Sequence, residues 1–143
     1  MSLEVREARP AEMEPLLLLR EEVFCAEQGV PLDEERDAYD ATALHLVALA
    51  SGELVGTCRL LAGDGLWKLG RMAVRRAARG TGVGMALLAE AERCALARGA
   101  RRLGFTAQTH AIGFYRRGGY RTLGGVFDDA GIPHVWMERP LAE

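Results

Sequence analysis

The glycine-rich junction ARGTGVG occupies residues 78–84 and runs directly into an alanine- and leucine-rich stretch. Glycine allows backbone conformations that other residues avoid, and it lets a ligand approach the chain closely. A helix that begins at this junction would present unpaired N–H groups and a partial positive charge. The junction is therefore suited to binding phosphate, and Arg79 supplies a further cation.

Spacing excludes two common phosphate-binding loops. A Walker loop ends in Gly-Lys-Ser or Gly-Lys-Thr, but the only lysine, Lys68, lies upstream in a predicted strand. A dinucleotide-binding G-x-G-x-x-G counted from Gly80 would place its third glycine at Met85. The pattern that fits is Arg79-x-x-Gly82-x-Gly84, between a strand and a helix.

The elements around this junction predict an α/β fold. A helix is expected through residues 11–24, followed by a loop over 25–40 with at most a short helix. Apolar residues at three- and four-residue spacing predict a helix over 82–99, and a short helix is expected over 110–118. Strands are predicted at 3–8, 43–50, 54–62, 66–74, 102–108, 120–127 and 133–139. Residues 1–143 then form one domain around a mixed, mostly antiparallel sheet of six to seven strands with about four helices.

Composition limits the classes of partner. The chain has 143 residues, 49% of them hydrophobic, and a formal net charge of -2, so neither nucleic acid nor an anionic membrane is favoured. Three widely separated cysteines suggest neither a disulfide framework nor a zinc site, and no metal is expected. No apolar run approaches the roughly 20 residues of a membrane span. A soluble cytoplasmic protein is expected.

The junction in this setting resembles the pyrophosphate loop of the GNAT superfamily of N-acetyltransferases. The segment AQTHAIGFYRRGGY, residues 107–120, is similar to the family's downstream segment. Two further stretches, VFCAEQGVP at 23–31 and DDAGIPHVWMER at 128–139, resemble the ElaA-like branch. The resemblance covers nearly the whole chain. It implies acetyl-CoA as acyl donor, acetylation of a primary amine, and a sheet splayed at the strand before the loop.

The resemblance also implies which residues meet the coenzyme. Backbone groups at the end of the strand 66–74 would pair with the pantetheine arm, and Tyr115 would act as general acid toward the coenzyme sulfur. Arg75 and Arg76 lie where a remaining phosphate could sit, whereas Phe114 and Tyr120 are expected in the core. The expected coenzyme contacts are Met72, Ala73, Val74, Arg79, Gly80, Thr81, Gly82, Val83, Gly84, Gln108 and Tyr115.

The general base stays open, because the strand LWKLGRMAV lacks the glutamate that many relatives carry there. The candidates are Glu22, Glu27, Asp37, Asp40, His45 and His134, or a water held by several of them. His134 is expected to touch the acceptor or accept its proton. Glu27 and Gln28 are expected acceptor contacts.

Other assignments on the acceptor side have a structural alternative. The acids of residues 33–40 would favour a cationic amine, or they are merely solvated. His45 is expected to be structural, and His110 is expected to cap the helix that follows it.

Three functions remain open from the sequence. A small primary amine acetylated by direct transfer is favoured, since no cysteine occupies an obvious nucleophile setting. A coenzyme-binding sensor or scaffold without catalysis, or an acetyltransferase for a protein lysine or N-terminus, are the alternatives. Exposed strands near the C-terminus could support a homodimer.

Overall fold

Seven strands form a single sheet in the computed structural model, which describes residues 2–141. They are β1 (Leu3–Glu7), β2 (Leu44–Ala50), β3 (Glu53–Leu61), β4 (Leu66–Val74), β5 (Arg102–Gln108), β6 (Arg121–Asp129) and β7 (Ile132–Pro140). Their order across the sheet is β1-β2-β3-β4-β5-β7-β6. Among the strands of residues 2–141, only β4 and β5 pair in parallel. This topology confirms the predicted mixed, mostly antiparallel sheet.

Four α-helices flank the sheet: α1 (Met13–Arg20), α2 (Leu32–Glu35), α3 (Val83–Ala97) and α4 (Ile112–Arg117). The helix that contains α1 continues in π-helical form over Glu21–Glu27, so the loop predicted from residue 25 begins later than expected. Residues 31–41, which we call the strap, contain α2 and a turn of 3-10 helix at Ala38–Ala41. No helix within residues 2–141 is long and apolar enough to cross a membrane.

The two faces of the sheet are covered by different helices. On one face, α3 buries the apolar residues that its spacing predicted, among them Val83, Leu87 and Ala91. Helix α3 lies close to β3 at Gly56, where the absence of a side chain leaves room for it. A Cβ atom on Gly56 would be only 2.9 Å from Val83 Cγ1. On the other face, α1 packs Leu19 against the sheet. The phosphate-loop helix and the first helix therefore lie on opposite faces.

The sheet opens between β4 and β5. These strands pair only from Leu66–Arg102 to Lys68–Gly104, and beyond this point they diverge. On its other edge, β4 pairs with β3 through a bulge, where the register shifts between Thr57 and Arg59. On β4 the bulge comes directly after Gly70, which pairs with Arg59. Together these features confirm the splay expected before the loop.

Buried ion pairs fasten the strap to the sheet. Arg20 is only 1% exposed, and it donates hydrogen bonds to Glu35 Oε2 at 2.8 Å and to Asp40 Oδ1 at 2.7 Å. Arg59 of β3 donates to Asp37 Oδ1 at 2.7 Å and to Asp40 Oδ1 at 2.9 Å. The interpretation of the 33–40 acids as a solvated cluster is therefore wrong for these three residues. They neutralise arginines that would otherwise be buried without a counter-ion.

The arginines shift the ionisation of their partners. Burial raises the pKa of Asp40, but hydrogen bonds from Arg20, the Asp37 N–H and Arg59 outweigh it and hold this pKa well below its usual range. The hydrogen bond from Arg59 likewise lowers the pKa of Asp37. Both carboxylates remain charged at neutral pH and are weak proton acceptors, which argues against either as the general base.

These lowered pKa values predict how stability depends on pH. Unfolded aspartate has a pKa of about 3.9, so the contribution of Asp40 is complete well above that pH and is lost as the pH falls through the lower folded pKa. We expect the melting temperature to fall steeply below about pH 4. Asp40→Asn should lower the free energy of unfolding at pH 7 by about 3 kcal/mol and flatten the acid dependence.

Melting curves between pH 7 and pH 3 check this expectation. Asp128→Asn, at an exposed position on β6, serves as the matched control and should keep the wild-type acid dependence. An Asp40→Asn variant whose melting temperature falls as steeply on acidification as the wild type's would contradict the assignment.

Candidate active site

A cleft of about 480 Å³ lies where β4 and β5 diverge, on the face that carries α1. Its floor consists of Lys68 and Gly70 from β4, Thr106 and Gln108 from β5, and His134 from β7. The floor residues project to the same face because strand residues two apart share a face and the registers align the strands. One wall includes Phe24, Gln28, Val30 and Glu34, and the other includes Asp129, Ala130 and Ile132 of the β6–β7 hairpin.

A second, smaller depression of about 240 Å³ lies at the glycine loop. Met72 lines the cleft and Val74 lines this depression, so the end of β4 borders both spaces. The remaining lining residues are Ala78, Arg79, Gly80, Gly82, Val83, Gly84, Met85 and Phe114. Phe114 is 39% exposed, so the prediction that it belongs to the core is wrong.

The loop has the backbone that its glycines predicted. Gly80 and Gly82 adopt positive φ angles of 78° and 92°, which other residues rarely adopt, and α3 begins directly after them at Val83. No side chain caps the first turn of α3. Its N–H groups and the positive end of the helix dipole therefore face the loop depression. The hydroxyl of Thr81 donates to the carbonyl of Ala78 and closes the loop.

Arg79 is held between β4 and the helix that carries Glu27. Its Nε donates to the carbonyl of Val74 at 2.9 Å, and its Nη2 donates to Glu27 Oε1 at 2.7 Å. Arg76 lies 3.9 Å from the same carboxylate, and Arg75 lies 3.6 Å from Glu22. Glu27 therefore faces the glycine loop and does not line the cleft, whereas Gln28 does. Of Glu27 and Gln28, both of which are expected to contact the acceptor, only Gln28 lines the cleft.

Tyr115 of α4 also lines the cleft. Its ring packs 4.6 Å from that of Phe105 on β5. Burial raises the pKa of Tyr115, so its hydroxyl stays protonated at neutral pH and can donate a proton. Tyr120 is structural as expected: it is buried, and its hydroxyl donates to Glu92 Oε2 at 2.7 Å.

Of the three histidines, His134 combines a place in the cleft with a defined tautomer. Its Nδ1 donates to the carbonyl of Ile132 at 2.7 Å, so in the neutral ring Nε2 is the free acceptor. His45 is buried and bonded to the carbonyl of Asp40 at 2.9 Å, which fits its expected structural role. The prediction that His110 caps a helix is wrong, since no side chain caps either helical segment beside it. It instead lines the cleft.

Several cleft residues have no role in the sequence-based interpretation: Arg59, Lys68, Arg71 and Thr106. The signal that could have found the arginines is their position in the middle of apolar strands, where a charge requires a partner. The strap offers those partners, but the pairing joins residues about 20 or more apart. Among residues 2–141, no group of three or more histidine, cysteine or acidic side chains is placed to hold a metal ion.

Arg71 links the strap to the bulge of β4. Its φ angle is +51°, in the left-handed region that non-glycine residues avoid. Its Nε donates to the carbonyl of Glu35 at 3.1 Å, and its Nη2 donates to Asp37 Oδ2 at 3.1 Å. The side chain therefore anchors a strained backbone at the point where the sheet opens.

Comparison with known proteins places this site in a family context. A family model described as an acetyltransferase (GNAT) domain matches residues 8–141. The uncharacterized N-acetyltransferase YjcF of Bacillus subtilis is 39% identical over 127 residues, which are 88% of this chain and 91% of that protein.

Solved structures show the same similarity. An acyl-CoA N-acyltransferase from Pseudomonas aeruginosa superposes with a TM-score of 0.87 at 32% identity, over 96% of this chain and 99% of that one. Escherichia coli ElaA superposes with a TM-score of 0.84 at 28% identity, over the same two shares. The likeness to ElaA agrees with the branch that the sequence resembles.

The strain at Arg71 predicts an inverted order of stability. Glycine in a strand normally costs about 0.5–1 kcal/mol relative to alanine, but a left-handed φ costs alanine about 1–2 kcal/mol. We therefore expect Arg71→Gly to be more stable than Arg71→Ala by about 0.5–1 kcal/mol. Urea unfolding measures the difference. Lys68→Gly and Lys68→Ala, on the same strand at ordinary φ, should show the usual order, with alanine more stable. The usual order at both positions would refute the strain.

Proposed function

The chain belongs to the GNAT acetyltransferase family, and on that premise we propose that it acetylates a small primary amine by direct transfer from acetyl-CoA in a ternary complex. The observation that carries the proposal is the divergence of β4 and β5 between the glycine-loop depression and the cleft. A donor bound at the loop could extend along β4 and present its thioester to an acceptor in the cleft.

In this proposal the coenzyme contacts extend from the glycine loop, along the end of β4, to the cleft. The N–H groups of residues 80–84, the N-terminus of α3 and Arg79 suit a pyrophosphate. Met72, Ala73 and Val74 lie past the last β4–β5 pair, so their backbone faces a widening gap that suits the amides of the pantetheine arm. Gln108 and Tyr115 line the cleft beyond this gap.

Two residues suit the proton transfers of the reaction. A lysine-like amine has a pKa of about 10.4 and must lose a proton before it attacks the thioester. The free Nε2 of His134 suits that task, directly or through a water. The nitrogen then bonds to the acetyl carbon, the C–S bond breaks, and the leaving thiolate takes a proton from the Tyr115 hydroxyl.

Cysteine chemistry supports direct transfer. Cys58 and Cys94 are buried, and burial raises the pKa of each thiol. Cys25 is half-buried, and burial with the nearby carboxylates of Glu35 and Glu21 raises its pKa too. A thiol with a raised pKa forms little thiolate at neutral pH and is a poor acyl acceptor.

The shape of the cleft favours a small acceptor over a protein. The strap lines one side and the tip of the β6–β7 hairpin lines the other, so an acceptor is bounded on both sides. A volume of about 480 Å³ lies within the range of pockets for small ligands.

Calorimetric titration with acetyl-CoA tests the donor site. Charge-assisted hydrogen bonds contribute about 1.5–3 kcal/mol, so Arg79→Ala should weaken binding at least about tenfold. Gly82→Asp should weaken binding further, because it forces a side chain into left-handed backbone and places a negative charge at the loop. Arg101→Gln, at an exposed residue outside both depressions, is the control and should bind normally. Unchanged binding in both loop variants would place the coenzyme elsewhere.

A thiol-release assay across a panel of amines tests catalysis. Removing a general acid or base typically costs about 100-fold or more, so Tyr115→Phe and His134→Gln should each lower kcat by about 100-fold with little change in acetyl-CoA affinity. Tyr39→Phe, on the exposed surface of the strap, is the control. Tight coenzyme binding with no turnover on any amine would favour the sensor alternative.

A further inference from the structure

Within residues 2–141, every arginine that lines the cleft is already paired. Arg59 is bound by Asp37 and Asp40, and Arg71 is bound by Asp37 and Glu35. The expectation that the strap acids would recognise a cationic amine therefore has to be revised, because three of them are engaged with arginines. The charges that remain for an acceptor are those without an ion pair in the described part of the chain: Lys68, Glu34 and Asp129.

The positive charge and the two negative charges lie at opposite ends of the cleft. Lys68 lies opposite Gly104, at the end where β4 and β5 are still paired. Asp129 lies in the hairpin beyond His134, which is opposite Gln108. Glu34 lies beside Arg71, because Nη2 of Arg71 is 3.5 Å from the backbone carbonyl oxygen of Glu34. From Gly104 to Gln108 the strand advances about 13 Å, so the cleft is cationic at its closed end and acidic at its splayed end.

The cationic end is an ordered environment. The ammonium of Lys68 lies 6.0 Å from the centre of the Trp136 ring. That ring is fixed in turn, because its Nε1 donates to Glu138 Oε2 at 2.7 Å and its six-membered edge packs against Gly104. The Lys68 side chain is exposed. The Trp136 ring attracts the ammonium through its π-face but offers it no oxygen or nitrogen acceptor, so the N–H donors of Lys68 remain free for a ligand.

We propose that the acceptor is an amino acid-like zwitterion, whose amine lies at the splayed end and whose carboxylate is bound by Lys68. This inference rests on the proposed function, which places the thioester where the strands diverge. Lys68 lies two residues before Gly70, or about 7 Å along the strand, so the amine and the carboxylate should be several carbons apart. Glu34 and Asp129 attract the ammonium end, and His134 can take its proton.

Three acceptors of matched length test the proposal: 6-aminohexanoate, 1-aminohexane and 1,6-diaminohexane. We expect the wild type to acetylate 6-aminohexanoate with a kcat/KM about tenfold above that of either other amine, as one charge-assisted contact would supply. Lys68→Gln should abolish this preference, mainly through KM. Lys68→Glu should invert it in favour of the diamine. Arg101→Glu makes the same change of charge at an exposed residue outside the cleft and should keep the wild-type order.

The outcomes distinguish failure of the zwitterion proposal from failure of the proposed function. Acetylation of all three amines without preference for the carboxylate, or a preference that survives Lys68→Glu, would overturn the zwitterion and leave the transferase intact. Acetyl-CoA binding without acetylation of any amine in a wider panel would overturn the proposed function and this inference with it. Melting temperatures of the variants show whether each one is folded. Substitutions of Lys68 should leave the fold intact, because its side chain is exposed.

Discussion

The short parallel pairing of β4 and β5 is the constraint on which the rest of the structure depends. Three residue pairs join the strands, and then each strand continues with only its outer neighbour, β3 for β4 and β7 for β5. Inner-edge N–H and C=O groups beyond this point lack a strand partner, and such groups require hydrogen bonds from elsewhere. A gap of this kind suits an extended ligand rich in amides. The glycine loop lies at one end of this gap, and the cleft lies at the other.

The strap contacts β4 beside this gap, on the face of the sheet that carries α1. The strap does this through charge pairing: Arg20 and Arg59 hold its acids, and Arg71 returns from the bulge to the same acids. Buried pairs of this kind add little net stability compared with an apolar core, but breaking one by removing a single partner is costly. The same pairing removes three acids and two cleft arginines from substrate recognition. The same ion pairs therefore hold the strap against the sheet and determine which charged side chains of the cleft remain unpaired.

The parts of the fold that the sequence predicted are those set by local pattern. Helix α3 follows from apolar spacing, and the backbone of the loop follows from Gly80 and Gly82. Three of the errors arise from tertiary contacts. Phe114 has the composition of a core residue, but α4 leaves it beside the loop. Glu27 stands next to Gln28 in sequence, yet the helical turn directs it to Arg79 instead of the cleft. Asp40 reads as a solvated loop residue until Arg20 and Arg59 are brought to it by the fold.

The absence of an acid on β4 is consistent with the charges that surround it. That strand carries Lys68 and Arg71 on the cleft, and a carboxylate between them would pair with one or both. Asp37 shows the consequence, because its pKa is lowered by the arginine that binds it. A carboxylate so stabilised is a weaker proton acceptor. The imidazole of His134 on β7, which is fixed by the carbonyl of Ile132, does not form such an ion pair with the arginines. In our proposal the general base therefore lies on β7, so that Lys68 of β4 can bind the acceptor without forming an ion pair with the base.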